Sequence, residues 1–260
     1  MLSKNKVKVI RLLALKKHRT EQGLFVAEGP KVVGDLLEMG PAETLIATDA
    51  WLRRHAHILR EHPETVSQEV IAVNEEELQR VSFLQHPQEV MAVFKIPKVE
   101  DGSQTLSPNV LSIALDGIQD PGNLGTIIRI ADWFGIRNIY CSPETADAYN
   151  PKVVQATMGS IARVRVVYTD LPALIKRLPK DYPIYGTLLD GENLYQQELT
   201  PYGLIIMGNE GNGLSPAIRK LVNKKLFIPS YALNSAHAES LNVAIATAVT
   251  CAEFRRRQVE

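Results

Sequence analysis

Apolar positions recur along this 260-residue chain in two alternating periods. Spacings of three and four predict amphipathic helices, and short continuous apolar runs predict strands. Val7, Ile10, Leu13 and Leu15 predict an opening amphipathic helix. LFVAEG (24–29) then predicts a strand, and KVVGDLLEM a helix stopped by Gly40-Pro41. TLIAT, VIAV and VMAVF are expected as strands, with WLRRHAHILREH and NEEELQRV as helical pieces between them. The segment PKVEDGSQTLSPN (97–109) has no apolar period and is rich in Pro, Ser and polar residues, so it predicts a linker. The expected organisation is a first domain over 1–97, a linker over 98–109 and a second domain over 110–260.

The second half carries the stronger alternation. VLSIALD (110–116) is the near-continuous apolar run of a strand buried on both faces. TIIRIADWFG predicts a helix, and Asn150-Pro151 a helix start, with a capping side chain followed by Pro at the first helical position. NIYCS, VRVVY, PIYGTLL, GLIIMG and KLFIP predict further strands, and a helix over Leu241 to Arg257 closes the chain. Strands alternating with helices imply an α/β fold with a parallel sheet, helices on both faces, and a site at the C-terminal ends of the strands.

Composition narrows the class. Apolar residues make up 45% and charged residues 22%, which excludes wholesale disorder, and no apolar run reaches the roughly 18 residues of a membrane span. The first residues lack the apolar core of a secretory signal, and the two cysteines, Cys141 and Cys251, form no C-x-x-C, so a reduced cytoplasmic protein is expected. Lys plus Arg equals Asp plus Glu at 29 each, yet residues 1–20 hold seven Lys/Arg and no acid, and Arg255-Arg256-Arg257 stands near the other end. A basic arm touching phosphate and a solvated helix face are both open on charge alone.

Three polar or Gly-rich loops each follow a predicted buried strand. In LDGIQDPGNLGTIIRIADWFG (115–135), Gly122 and Gly125 permit close backbone approach, while Asn123 and Arg129 supply donors. The run is neither G-x-G-x-x-G nor a P-loop, so both nucleotide fingerprints fail. IIMGNEGNGLS (205–215) sets glycines around Glu210, and in IPSYALNSAHAESLNVAIATA (228–248) Ser240-Leu241-Asn242 opens the last helix.

D-P-x-N-x-G-x-x-x-R-x-A…F-G, then G-N-E-G-x-G-L, then I-P…S-L-N-V, in this order over residues 110–257, resemble the SpoU (TrmH) family, SPOUT-class RNA ribose 2′-O-methyltransferases that use S-adenosylmethionine. F-V-A-E-G-P-K at 25–31 resembles the small α/β substrate-binding domain often fused in front of them. The resemblance implies a C-terminal parallel sheet with a trefoil knot, a homodimer, and an rRNA or tRNA partner, with no membrane and no metal. It places the cofactor against Gly208, Ile228 and Leu241, with Thr187 and Leu188 as a further candidate pair. It assigns the chemistry to Arg129, Asn123, Glu210, Ser240 and Asn242. A guanidinium stays protonated in proteins, so Arg129 is expected to grip the target phosphate, and Glu210 is a candidate partner for it.

One departure stands out. The family reads Ile-Pro-Met with a Gly shortly before Ser-Leu-Asn; here ten residues without Gly separate Pro229 from Ser240, so Asn234 or Ser235 would take the Gly's place. His237 is expected to face solvent, Trp133 and Phe134 to lie in the core, and Asp116 and Asp120 to serve turns and caps. Tyr149 has no assignable role. A non-catalytic RNA-binding or ribosome-assembly factor on the same scaffold is the alternative, and a base methyltransferase a more distant one.

Overall fold

The computed structural model describes residues 2–61, 66–98, 109–232 and 240–258. They form two compact units, one of Met1–Lys98 with Asp147–Ala162, the other of Val99–Ala146 with Arg163–Glu260.

The first unit opens with two helices, α1 (Lys4–Leu12) and α2 (Lys16–Gln22), where a single helix over 7–15 was expected. β1 (Leu24–Glu28) leads into α3 (Pro30–Leu37), and β2 (Thr44–Thr48) into α4 (Asp49–Arg54). The expected single helix over 51–62 is broken at His55, beyond which α5 (Ala56–Glu61) begins. β3 (Val70–Val73), α6 (Glu75–Val81) and β4 (Val90–Lys95) complete the N-terminal part. Asn74 caps α6 in a reciprocal box with Glu77, which satisfies two otherwise orphan backbone donors. The sheet order is β1-β4-β2-β3. β4 runs antiparallel to β1 and β2, and β2 is parallel to β3, so β1, β2 and β3 all point one way. One face buries Val26, Ile46, Val73, Met91 and Val93 with Ile10 and Leu13 of the opening helices and Leu78 and Val81 of α6.

The later stretch Asp147–Ala162 belongs to this unit. Its helix α7 (Pro151–Ala156) starts at Asn150, whose side chain accepts from the Lys152 N–H as expected from Asn-Pro. Tyr149 finds its role here, its ring 4.9 Å from that of Phe25 on β1. Arg19 on α2 is buried, with its guanidinium bonded to the Leu13 and Ala14 carbonyls and to Asp147 Oδ2.

The second unit contains β5 (Leu111–Asp116), α8 (Pro121–Trp133), β6 (Asn138–Cys141), β7 (Arg165–Tyr168) and α9 (Leu171–Lys176). β8 (Ile184–Asn193), β9 (Gly203–Gly208), α10 (Pro216–Arg219), β10 (Lys224–Phe227) and α11 (Val243–Arg256) follow. Every pairing in the six-stranded sheet is parallel, in the order β10-β8-β9-β5-β6-β7. Residues Leu111–Leu115 are all buried, the run anticipated for a parallel strand covered on both sides. Ala114, Leu204 and Ile206 pack with Leu171, Leu174, Ile175 and Ile218 on one face. Alternate residues such as Ile113 and Ile205 point to the other, where α8 and α11 lie against one another and Phe254 meets Tyr185 edge-on at 4.8 Å. The chain builds β5, β6 and β7 outward in one direction and returns to β8 and β9 on the opposite side. β5 and β9 therefore flank the topological switch point, the place where open parallel sheets bind ligands beyond their C-terminal ends.

Candidate active site

β5 and β9 end side by side, with Asp116 opposite Gly208. From there two polar loops rise and are tied together. Asp116 Oδ2 accepts from the Ser215 N–H at 2.7 Å, and Asn209 Nδ2 donates to the Gly117 carbonyl at 2.8 Å. Gly117 sits at φ +75°, a left-handed conformation natural to glycine. The Asn209–Gly213 loop closes on itself through reciprocal backbone bonds, and Asn209 Oδ1 accepts from the Gly211 and Asn212 N–H groups. A Cβ on Gly208 would lie 2.4 Å from the Gly213 carbonyl carbon, so any side chain there would push the loop away.

Asp120 caps α8 by accepting from the Asn123 N–H at 2.8 Å, the cap role expected of it. This leaves the Asn123 side chain at the mouth of the switch point. Its Nδ2 donates to Glu210 Oε1 at 2.6 Å, and its Oδ1 accepts from Asn242 Nδ2 at 2.9 Å. Asn242 in turn caps α11, its Oδ1 accepting from the Ala244 and Ile245 N–H groups. The α11 N–H groups thus force Asn242 to present its amide nitrogen, and Asn242 forces Asn123 to present its own amide nitrogen to Glu210. One directed chain of hydrogen bonds joins all three loops, and each amide's orientation follows from its neighbours.

Three of the five expected catalytic residues, Asn123, Glu210 and Asn242, are brought together. Glu210 bonds Asn123, the contact that replaces its suggested pairing with Arg129. Arg129 lies less than two turns along α8, about 9 Å from Asn123 along the axis. It is exposed and has no hydrogen-bond or ion-pair partner among the described residues. Ser240 is exposed just ahead of α11, which begins at Val243; the expected helix start at Leu241 is corrected by the Asn242 cap. Of the expected cofactor residues, Gly208 ends β9, Ile228 stands half-buried just past β10, and Leu241 is 51% exposed. Thr187 and Leu188 lie inside β8, just past Gly186 where its pairing with β9 stops. Thr187 Oγ1 donates to the Ile206 carbonyl at 3.3 Å. Asn234, Ser235 and His237 lie outside the described residues, as do residues 99–108 of the expected linker. Trp133, expected in the core, is 85% exposed because it falls on the outer stripe of α8 with Thr126 and Arg129, while Leu124, Ile127, Ile128 and Ala131 face inward.

Sequence reasoning passed over Gly117 and Asn209, which hold the first two loops together. The available signal was Asn209 inside G-N-E-G, a turn-forming residue directly before the glutamate. Among the described residues no group of three or more His, Cys, Asp or Glu could hold a metal ion, and no helix is long and apolar enough to cross a membrane.

Residues 110–252 match the SpoU rRNA Methylase family, and residues 4–92 match the MRM3-like substrate binding domain. The chain belongs to the SpoU methylase family. It is 32% identical over 261 residues to the Bacillus subtilis protein named 23S rRNA (guanosine(2553)-2′-O)-methyltransferase RlmP, covering 96% of each chain. A solved TrmH-family structure from Porphyromonas gingivalis superposes with a TM-score of 0.86 at 40% identity, covering 99% of both chains. The AdoMet-bound rRNA methyltransferase of Sinorhizobium meliloti superposes at 0.85 with 30% identity, covering 100% of this chain and 97% of that one. The six-stranded parallel sheet is accordingly that of the SPOUT fold of these structures.

Proposed function

We propose that this member of the SpoU family transfers a methyl group from S-adenosylmethionine to a ribose 2′-hydroxyl of RNA, with ribosomal RNA as the substrate class. The observation that carries the reading is the Asn242–Asn123–Glu210 chain across the three motif loops, with Arg129, unpaired among the described residues, on the same helix as Asn123. The relatives named as 23S rRNA 2′-O-methyltransferases and the AdoMet-bound neighbour support the substrate and the donor.

The residues present suit such a donor. An adenosyl group needs apolar flanks beside fixed backbone polar groups. The site loops offer exposed Leu241, half-buried Ile228 and the glycine-bound turn at Gly208. When bound, the donor would supply an electrophilic methyl carbon on a sulfonium, open to in-line attack by the ribose oxygen with the neutral thioether as leaving group. The protein's own task is to bring that oxygen into line and to polarise its hydroxyl. Arg129 offers a forked guanidinium donor and no acceptor, so it is assigned to the nucleotide phosphate rather than to the role of base. Asn123, locked between Asn242 and Glu210, keeps the mouth of the site in one arrangement, and Ser240, two residues before Asn242, offers an exposed hydroxyl. RNA is favoured over DNA because only RNA carries the 2′-hydroxyl that accepts the methyl group.

The N-terminal unit is proposed to bind the RNA, and the knotted path of the C-terminal segment and the homodimer belong to the same proposal. A second copy has a surface to cover: Trp133 on α8 and Ile245 on the adjoining α11 are exposed apolar side chains on two helices that already touch. The test is to incubate the purified protein with labelled S-adenosylmethionine and unmodified rRNA. Label on ribose supports the proposal. No binding of S-adenosylmethionine by calorimetry would instead favour an RNA-binding or ribosome-assembly factor on the same scaffold.

A further inference from the structure

Three neighbouring parallel strands of the second unit finish level with one another. Cys141 of β6 stands opposite Leu115 of β5, and Asp116 of β5 opposite Gly208 of β9. The loop 142–146 that leaves β6 therefore lies on one side of the turn 115–118, and the loop 209–213 on the other. Ser142 and Thr145 in the first of these loops are only 5% and 2% exposed, and neither belongs to the three motif loops.

Their bonds converge on the turn that opens the first motif. The Ser142 N–H and the Thr145 hydroxyl both donate to the Leu115 carbonyl, at 2.9 and 3.1 Å, and the Ala146 N–H donates to the Ile118 carbonyl at 2.8 Å. The Gly117 N–H donates to Ser142 Oγ at 3.0 Å. Ser142 Oγ also lies 3.3 Å from Thr145 Oγ1. With the Thr145 proton committed to Leu115, Ser142 is the donor of that pair and turns its lone pairs toward Gly117.

Gly117 is also where the second motif loop is fastened. Its carbonyl accepts from Asn209 Nδ2, while Asp116 accepts from the Ser215 N–H, so residues 116 and 117 grip the Glu210 loop at both ends. Gly117 sits at φ +75° and has no Cβ to restrict its rotation, so the bonds on its N–H and carbonyl fix where that carbonyl points. Without the Ser142 oxygen the Gly117 N–H would lose its acceptor, and the carbonyl that holds Asn209 would be released on its other side.

We infer that Ser142 is a positioning residue for the methyl-transfer site. It sets Gly117, Gly117 sets Asn209, and Asn209 sets the turn at 208–213; Thr145 directs the Ser142 hydroxyl. The inference rests on the proposed methyltransferase reading for the identity of the donor that this turn holds, and not for the path of hydrogen bonds.

The test compares full-length native protein with Ser142→Ala by calorimetry with S-adenosylmethionine, by methylation kinetics and, with no ligand added, by amide hydrogen exchange. Ser142→Ala is expected to weaken cofactor binding and raise its KM about tenfold, the effect of one stranded buried donor, with a smaller change in kcat. Exchange should quicken at 115–118 and at 209–213 and stay native in the first unit. In an Asn209→Ala background, where the path is already cut, Ser142→Ala should quicken exchange at 115–118 alone. Thr145→Val removes only the hydroxyl that directs Ser142 and covers the case in which Ser142→Ala does not fold. It should give the same pattern at smaller amplitude, and Thr145→Ser should behave as native. Native cofactor affinity in Ser142→Ala, or faster exchange at 115–118 that never reaches 209–213, would overturn the inference by reducing Ser142 to a local structural bond. So would an effect on 209–213 that persists without Asn209. If the native protein binds no S-adenosylmethionine, the proposed function falls while the exchange measurements still decide the role of Ser142.

Discussion

Asp147 is the residue whose replacement tests most sharply how the first unit is built. Arg19 retains 2% of its side-chain exposure and Asp147 15%, with Arg19 Nη2 and Asp147 Oδ2 2.5 Å apart. Removing one partner of a buried pair leaves an uncompensated charge and costs about 3–5 kcal/mol. Two carbonyls, of Leu13 and Ala14, would still accept from the Arg19 guanidinium, which places the expected loss for Asp147→Ala near the lower end, about 3 kcal/mol. That is roughly a hundredfold in the folding equilibrium. Asp147→Asn separates the effects. It keeps an oxygen for the Tyr149 N–H, which now bonds Asp147 Oδ1 at 3.0 Å, but turns an amide NH2 toward Arg19 in place of the Oδ2 that accepts its two bonds. Its loss should be close to that of the alanine variant, because both strand the guanidinium and only alanine also frees the Tyr149 N–H.

The assay is urea unfolding followed by the emission of Trp51, which is buried in this unit at 3% exposure, in a Trp133→Phe background that removes the exposed indole. Arg19→Met supplies the cycle, because with no cation to strand, Asp147→Ala should cost about 1 kcal/mol or less. A loss below about 1 kcal/mol in the native background, or the same loss with and without Arg19, would refute the account. So would an N-terminal fragment ending at Lys98 that folds with native stability, since Asp147 would be absent from it.

Four further outcomes follow from the geometry. Asn123→Asp should lower methyl transfer by about a hundredfold with the fold intact, because aspartate cannot donate to Glu210 and sets a like charge beside it; unchanged kcat would break the argument. Arg129→Lys should keep part of the affinity for RNA yet lose most of kcat/KM, since an ammonium replaces a two-pronged donor, and steady-state kinetics read the split. Gly208→Ala should abolish cofactor binding measured by calorimetry while leaving the melting curve of the first unit in place, given the 2.4 Å approach to Gly213. Glu253, buried on α11, has its pKa drawn down to about 2, first by the hydrogen bond from Arg256 and also by Arg257. A lowered carboxylate pKa stabilises the fold above the ordinary glutamate value and loses that stability as pH falls toward 2. Unfolding at pH 5 and pH 3 should therefore differ less for Glu253→Gln than for the native chain, and an unchanged difference would count against the ion pairs.

The parts of the fold most legible in the chain were those where one local rule suffices. The apolar run 110–116, the Asn150-Pro151 start and the alternation of strands with helices each follow from burial or capping within a few residues. The three loops were legible as loops because glycine and asparagine there answer to backbone conformation. Less legible was anything decided by a partner distant in sequence. Trp133 looks like a core residue in an apolar helix, and only the placement of Leu124, Ile127 and Ile128 against the sheet turns it outward. Residues 147–162 look like one more helical step of the second half, yet Tyr149 meets Phe25 and Asp147 meets Arg19.

Glu210 illustrates the same limit at the site itself. With a lone arginine on a neighbouring motif, charge alone suggests that Glu210 and Arg129 pair. The structure satisfies the carboxylate with a neutral amide, and the reason lies at the far end of the chain of bonds. The first turn of α11 needs an acceptor, Asn242 gives its oxygen, and its nitrogen must then donate to Asn123 Oδ1. Asn123 is left with donors only, and Glu210 is the acceptor that meets them. Among the described residues Arg129 consequently meets no partner, which leaves its guanidinium for an external anion. Had the two charges paired, phosphate binding would first have to break an ion pair. In this arrangement helix capping, a structural requirement, leaves Glu210 bonded to Asn123 and the guanidinium open for the phosphate proposed for it.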